Sequence, residues 1–350
     1  MSVAPIPCRI EPRQVGRIWG RRWLDPLFAE TEELSEPVGE VWLTGEDCLF
    51  ADGPYTGKPL GRAWKEMPAN WKGSQLQKEQ TFPILAKFLF TDLKLSVQVH
   101  PDDAYAARHE ASGARGKTEM WYVVRSWQDA EVYVGLEPGV DSRALRDSLA
   151  DGSVETRLNR IPVNDGDTIY VPAGTVHTIG PGLVICEIQE TSDLTYRLYD
   201  YGRTDANGQP RELHLEKALA VARFGQSVAG KTTPATCLRG PVELTYLAAC
   251  RHFAAERWRF MEPVNVSGSK KHFDLLIFLE GSGDLIAGGS RRKFGHGEIW
   301  FVPAECGRFR LEPAVDTTLL CSYVPELGEF PEALAKQGLR PRQIAGFLYE

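Results

Sequence analysis

Four side chains in the first half of the chain carry the donors of a metal site. Gln98 and His100 lie on the alternating run Ser96-Val97-Gln98-Val99-His100, so a strand points both to one face. Glu119 opens the strand-like run Met120-Trp121-Tyr122-Val123-Val124, and His177 closes the segment Tyr170-Val171-Pro172-Ala173-Gly174-Thr175-Val176. Two imidazoles, one carboxylate and one weak amide ligand, with no sulfur, suit Zn²⁺ or another borderline divalent ion. They also leave a position for water or substrate, as a catalytic site requires. Singly these signals are weak, because an isolated histidine on a strand is more often packed in a satisfied core. It is the joint pattern that points to a metal.

The elements that must hold these residues are mostly strands. From Met1 to about Asn70 short apolar runs such as Gly39-Glu40-Val41-Trp42-Leu43 alternate with Pro and Gly turns. Phe82 to Phe90 is an apolar strand interrupted by Lys87, which reads either as a snorkelling edge lysine or as an ammonium in a pocket beside the next strand. A loop follows His100, and Ala130 to Leu136 is another alternating strand. Asp141 to Leu149 is a short helix capped by Asp141. Asn164-Asp165-Gly166-Asp167 turns into the strand that ends at His177, and Leu183 to Gln189 places Ile185, Glu187 and Gln189 on one face. A polar turn falls at Asp205-Ala206-Asn207-Gly208, Glu212 to Phe224 reads as a helix, and Gly225 to Thr236 reads as a linker. The last third is again strand-rich, with short helices expected from Phe330 to Leu339 and at the end of the chain. Gly166-Asp167-Thr168-Ile169-Tyr170-Val171-Pro172-Ala173 is echoed by Gly297-Glu298-Ile299-Trp300-Phe301-Val302-Pro303-Ala304, as a duplicated β-barrel would show. In that alignment Arg308 stands where the first copy has His177, so the second copy lacks a metal ligand there and is expected to be structural.

Composition bounds the rest. At 350 residues, 43% hydrophobic and 25% charged, the chain has the means to bury a large core, which excludes a disordered or fibrous protein. A net charge of −7 argues against nucleic acid or an anionic membrane as partner, so an anionic substrate would need a local cluster of Lys and Arg. The cysteines Cys8, Cys48, Cys186, Cys237, Cys250, Cys306 and Cys321 are odd in number and contain no C-x-x-C pair, which suggests reduced, buried thiols. No apolar window reaches the length of a membrane helix and the N-terminus lacks a signal-peptide run, so a cytoplasmic protein is expected.

The motifs Ser-x-Gln-x-His-Pro-Asp from Ser96, Gly-Lys-Thr-Glu-x-Trp-Tyr from Gly116, Val-Pro-Ala-Gly-Thr-x-His from Val171 and Tyr-Arg-Leu-Tyr-Asp-Tyr-Gly-Arg from Tyr196 follow the cupin pattern. In combination they resemble the type I mannose-6-phosphate isomerases in their shorter bacterial form. The resemblance covers about residues 13–224 and fades beyond. It implies an all-β-dominated fold of two cupin (jelly-roll) β-barrels with a few short helices. Residues 1–228 would form the catalytic unit, and residues 229–350 a degenerate second cupin without a metal site.

The resemblance also implies one Zn²⁺ per chain on Gln98, His100, Glu119 and His177, a catalytic Arg197, and Lys117 and Glu187 as acid–base residues. It places Lys87 and Ser96 beside the substrate, with Arg203 a further candidate for the phosphate. The activity implied is zinc-dependent interconversion of mannose 6-phosphate and fructose 6-phosphate through a cis-enediol by a monomer or weak homo-oligomer. Such chemistry needs a cation for the developing oxyanion and a base for the carbon acid. Glu187, raised by burial, or Lys117, lowered by an adjacent Zn²⁺, could each be that base. The alternatives are a cupin isomerase for another sugar phosphate and a non-catalytic, metal-containing sugar-phosphate sensor. Met120, where relatives often carry cysteine, is expected to be a core substitution. His109, His214, His252, His272 and His296 have no comparable context and are assigned no role.

Overall fold

A computed structural model describes residues 4–29, 32–204, 208–225 and 230–349. Most of the turn read at Asp205-Ala206-Asn207-Gly208, and the boundary between residues 228 and 229, lie outside these. The described chain is mostly β, with a few short helices. Its antiparallel strands form four sheets, and hydrogen bonding leaves each of them open rather than closed into a barrel.

In the first half a six-stranded sheet runs in the order Arg13–Arg21, Val38–Trp42, Ile84–Thr91, Leu183–Glu190, Glu119–Ser126, Thr168–Val171. It faces a five-stranded sheet in the order Tyr196–Tyr199, Val97–Val99, His177–Ile179, Glu131–Leu136, Leu158–Pro162. Trp121, Val123, Ile169, Ile185, Val132 and Val134 meet between the two sheets. The second half repeats the arrangement. A large sheet containing Ala254–Phe260, Thr317–Tyr323, Asp274–Glu280 and Ile299–Val302 packs on a four-stranded one through Leu276, Phe278, Trp300, Leu285 and Phe309.

Strand alternation explains how two halves become one molecule. Leu183–Glu190 is buried on both faces: Ile185, Glu187 and Gln189 point between the sheets, while Val184, Cys186 and Ile188 point outward. Those outward residues join Phe88, Phe90 and Met120 in a core shared with Ala255, Leu275, Ile277, Phe301 and Leu320 of the second half. Met120 is therefore core, on the face opposite the site. The halves also exchange chain, since Cys8–Ile10 pairs with Ile299–Phe301. Burying two sheet faces against one another removes from water apolar surface that each half would otherwise expose, at about 25 cal/mol per Å².

Several local expectations need correction. The helix read over residues 212–224 spans only Leu215–Val221: ahead of it His214 N donates to Arg197 O at 2.7 Å, and after it Ala222 turns extended. The loop after His100 contains a helix, Asp103–His109, whose N-cap is Asp102 accepting from Tyr105 N at 2.8 Å. Leu60–Glu66 and Ala69–Lys72 are helical where strands and turns were expected. The Asp141 cap holds, with Ala144 N donating to its carboxylate at 2.7 Å ahead of Ser142–Asp151.

Candidate active site

The four donor residues converge at the floor of the space between the first two sheets. On the five-stranded sheet, cross-strand pairing sets His177 beside Gln98, and Gln98 beside Arg197. On the facing sheet it sets Glu119 beside Gln189, and Glu187 between Lys87 and Trp121. The Pro172-Ala173-Gly174 turn that delivers His177 needs a positive φ of 85° at Gly174. There Gly174 N donates to His100 O at 2.8 Å, tying the two histidine segments together.

The geometry suits a cation. His100, Glu119 and His177 are fully buried, and their ligand atoms all lie within 4.8 Å of one another. His100 Nδ1–H donates to Leu194 O at 2.8 Å and His177 Nδ1–H donates to Thr175 O at 2.9 Å. Those carbonyls fix the tautomers and leave both Nε2 lone pairs facing the centre. Glu119 Oε1 is buried with no hydrogen-bond partner among the described residues, 3.4 Å from His177 Nε2. Glu119 Oε2 lies 3.6 Å from His100 Nε2. An orphaned, buried carboxylate oxygen facing two imidazole lone pairs demands positive charge. The Gln98 amide reaches the same point, its nitrogen 3.2 Å from His177 Nε2, and a half-turn of the amide presents Oε1 instead.

The electrostatics agree. Burial pushes the Glu119 carboxyl up to about 8, opposed by the adjacent Lys117 and reinforced by Glu187. Burial also pushes His177 down to about 4, and burial together with Lys117 pushes His100 well below its ordinary value. Without a cation the donors are thus held neutral. Lys117 Nζ sits among them, in contact with Glu119 Oε2 and 3.2 Å from His100 Nε2. Glu187 departs from expectation. Burial alone would raise it, but Lys117 at 3.7 Å and Lys87 at 2.9 Å outweigh that and hold its carboxyl down to about 2. Its Oε1 also accepts from Trp121 Nε1 at 3.2 Å, so Glu187 is an ionised acceptor fixed from three sides.

Above this floor opens a cavity of about 510 Å³ whose wall includes Lys87, Ser96, Gln98, Lys117, Glu187 and Arg197. Arg197 Nε donates to Ser96 Oγ at 3.3 Å and Nη1 to Glu212 O at 3.0 Å. Arg203 is not on this wall. Its guanidinium is held by Asp200, 2.5 Å from Nη2, and the same carboxylate binds Arg211 Nε at 2.7 Å. Arg211 does reach the wall, as do Arg17 and His214. None of these three was expected there. Arg17 carried a readable signal, lying two residues before the inward-facing Trp19 on an alternating strand, whereas nothing in the spacing around Arg211 marked it.

Among the described residues one other group has metal-like spacing, Asp103, Glu190 and His252, where the halves meet. There His252 Nε2 already accepts from Arg251 Nε at 2.9 Å and Nδ1 faces Glu190 Oε2 at 3.1 Å, so the ring is satisfied without an ion.

Residues 7–143 match the family model described as the type I phosphomannose isomerase catalytic domain. Mannose-6-phosphate isomerase ManA of Bacillus subtilis is 36% identical over 315 residues, covering 87% of this chain and 96% of that protein. The mannose-6-phosphate isomerase of Streptococcus mutans is 34% identical, covering 85% and 92%. Among solved structures, the mannose 6-phosphate isomerase from Bacillus subtilis superimposes with a TM-score of 0.83 at 31% identity, covering 91% of this chain and 99% of that one. With this likeness running through both halves, the chain belongs to the type I phosphomannose isomerase family.

Proposed function

We propose that the chain interconverts mannose 6-phosphate and fructose 6-phosphate in a zinc-dependent reaction that passes through a cis-enediol. The observation that carries this reading is the convergence of two Nε2 lone pairs and an orphaned carboxylate oxygen at the floor of a cavity whose wall also holds Arg17, Lys87, Lys117, Arg197 and Arg211, in excess over Glu40, Glu187 and Asp193. His100, Glu119, His177 and Gln98 hold the metal, one per chain, which when bound supplies Lewis-acid polarisation of a sugar oxygen.

The chain's own residues do the rest. Arg197, half-buried on the wall, offers a fixed positive charge to the oxyanion that develops as the carbon acid loses its proton. Lys117 and Glu187, 3.7 Å apart, form the proton-carrying pair that moves hydrogen between C1 and C2. Replacing Glu187 by Gln and Lys117 by Met, and following exchange of the substrate C–H with solvent deuterium, separates the two roles. The residue whose loss stops exchange is the one that meets carbon. Lys87 and Ser96 bind the phosphate, and Arg17 and Arg211 add the local positive field that a net-acidic protein requires. Arg203 serves by holding Asp200, and through it Arg211.

Each facing pair of sheets is read as a cupin jelly roll. The catalytic unit spans residues 1–228, with Cys8–Ile10 lent to the second unit, and residues 229–350 form a degenerate cupin that holds no metal. A coupled assay on the purified chain carrying one zinc per molecule tests the activity. Turnover of fructose 6-phosphate is expected, and its absence at full zinc occupancy would contradict the reading. A panel of other sugar phosphates tests the substrate.

A further inference from the structure

The second pair of sheets encloses a cavity of about 490 Å³, and it stands at the place in its own unit that the catalytic cavity occupies in the first. The hydrogen-bond registers establish this. Glu187 pairs with both Lys87 and Trp121, and Glu119 pairs with Val171. In the second unit Cys321 pairs with both Glu256 and Leu276, and Asp274 pairs with Val302. Val171 and Val302 are also equivalent in the sequence echo, so hydrogen bonding and sequence give one alignment. Lys87 is replaced by Glu256, Lys117 by His272, Glu119 by Asp274 and Glu187 by Cys321, and all four replacements line the second cavity.

We propose that this cavity is a second small-molecule site, specific for an uncharged polyhydroxylated ligand of hexose size. Its volume lies in the range of small-ligand pockets. The charged groups on the wall are of both signs, Arg239, Lys271 and His272 against Glu256, Asp274, Glu326 and Glu329, so neither sign has the wall to itself. His272 lies 3.1 Å from Asp274, and Lys271 is 2.6 Å from Glu329. Glu256 is buried and accepts from Trp258 Nε1 and Tyr323 OH, each at 2.7 Å. A phosphate would meet the carboxylates of Glu256 and Asp274, and an amine would meet Arg239, His272 and Lys271. What the wall does offer is hydrogen bonding beside flat apolar faces: the second lone pairs of Glu256, the hydroxyls of Ser267 and Ser269, and the rings of Trp258 and Phe330. Gln75 reaches in from the first half of the chain, and its Oε1 is buried with no hydrogen-bond partner among the described residues. A ligand hydroxyl would satisfy it. This inference is independent of the catalytic reading.

The test follows the Trp258 indole N–H resonance of the ¹⁵N-labelled full chain, assigned with Trp258→Phe, during titration with D-mannose, spermidine and inorganic phosphate. D-Mannose is expected to shift it with a Kd of roughly millimolar order, the weak end of the affinity scale. Glu256→Gln should weaken that binding by about tenfold or more, equivalent to ~1.4 kcal/mol. Arg197→Ala, in the other cavity, should leave the titration unchanged. Asp274→Asn gives the same reading should Glu256→Gln fail to fold, as judged by its melting curve. The proposal is overturned by an unresponsive Trp258, by a stronger response to spermidine or phosphate, or by a mannose response that Arg197→Ala removes and the Glu256 and Asp274 variants keep.

Discussion

The two cavities of this molecule share a backbone and differ in charge. In the first, Lys87, Glu119 and Glu187 stand on strands whose register places them, with Lys117 two residues ahead of Glu119, around two imidazoles whose Nε2 atoms face one centre. In the second the same positions hold Glu256, His272, Asp274 and Cys321, and Arg308 stands where the sequence echo has His177. The fold therefore supplies a walled space twice, and the side chains at a few inward positions decide what each can hold. His100 and His177 each give Nδ1 to a backbone carbonyl and turn Nε2 to a shared centre. His272 also has a carbonyl on Nδ1, that of Phe273 at 3.1 Å, but shares that nitrogen with Asp274 and stacks on Tyr323 at 4.5 Å. A lone pair aimed at a shared centre separates a metal ligand from a packed histidine.

Several substitutions would break or sharpen that contrast. The largest effect is expected from Arg197→Ala. Removing a fixed charge from the oxyanion's surroundings should lower kcat about 10²–10³-fold. Zinc content, read by elemental analysis, should stay unchanged, because Arg197 touches none of the three buried donors; joint loss of zinc and activity would make it structural instead. Lys87→Met should cost roughly 3 kcal/mol in urea unfolding, because it leaves the buried Glu187 carboxylate with Lys117 as its one remaining lysine. A loss below about 1 kcal/mol would mean that the pair is worth no more than a surface salt bridge.

A smaller effect is expected in the pH dependence of metal stabilisation. Glu119, raised from 4.5 to about 8, favours the cation-free fold while it is neutral, and that contribution fades as pH rises through 8. His177, lowered from 6.5 to about 4, contributes above its ordinary value and loses that contribution as pH falls through 4. Metal binding needs Glu119 ionised and both imidazoles neutral, so the rise in Tm on adding zinc should be larger at pH 8 than at pH 5. An equal or larger rise at pH 5 would show that these donors do not hold the ion. The smallest effect is expected from Asp274→Asn, which should leave kcat within about twofold, since its cavity takes no part in the reaction.

Much of the first cavity was legible in the sequence because β-structure has a period of two. The run Ser96 to His100 fixed which side chains face inward, and Leu183 to Gln189 did so for Glu187 and Gln189. The Lys87 that interrupts an apolar strand lies on the cavity wall and not at an exposed edge, and its pairing with Glu187 was not foreseen. Other features were not legible, because they depend on pairing between distant segments. The depressed Glu187 carboxyl follows from two lysines 70 and 100 residues away in the chain, and burial alone pointed the opposite way. Arg203 and Arg211 are close in sequence and both bind Asp200, yet Arg211 faces the cavity and Arg203 does not. The charge replacements in the second half became visible once the strand registers aligned Asp274 with Glu119 and Glu256 with Lys87.

The most direct measurement is zinc per chain, by mass spectrometry of the native protein, for the wild type, Glu119→Gln and Asp274→Asn. About one zinc is expected in the wild type and in Asp274→Asn, and close to none in Glu119→Gln, whose neutral amide no longer offers the buried charge. Full occupancy in Glu119→Gln, or loss of zinc in Asp274→Asn, would contradict the assignment of the metal to the first cavity.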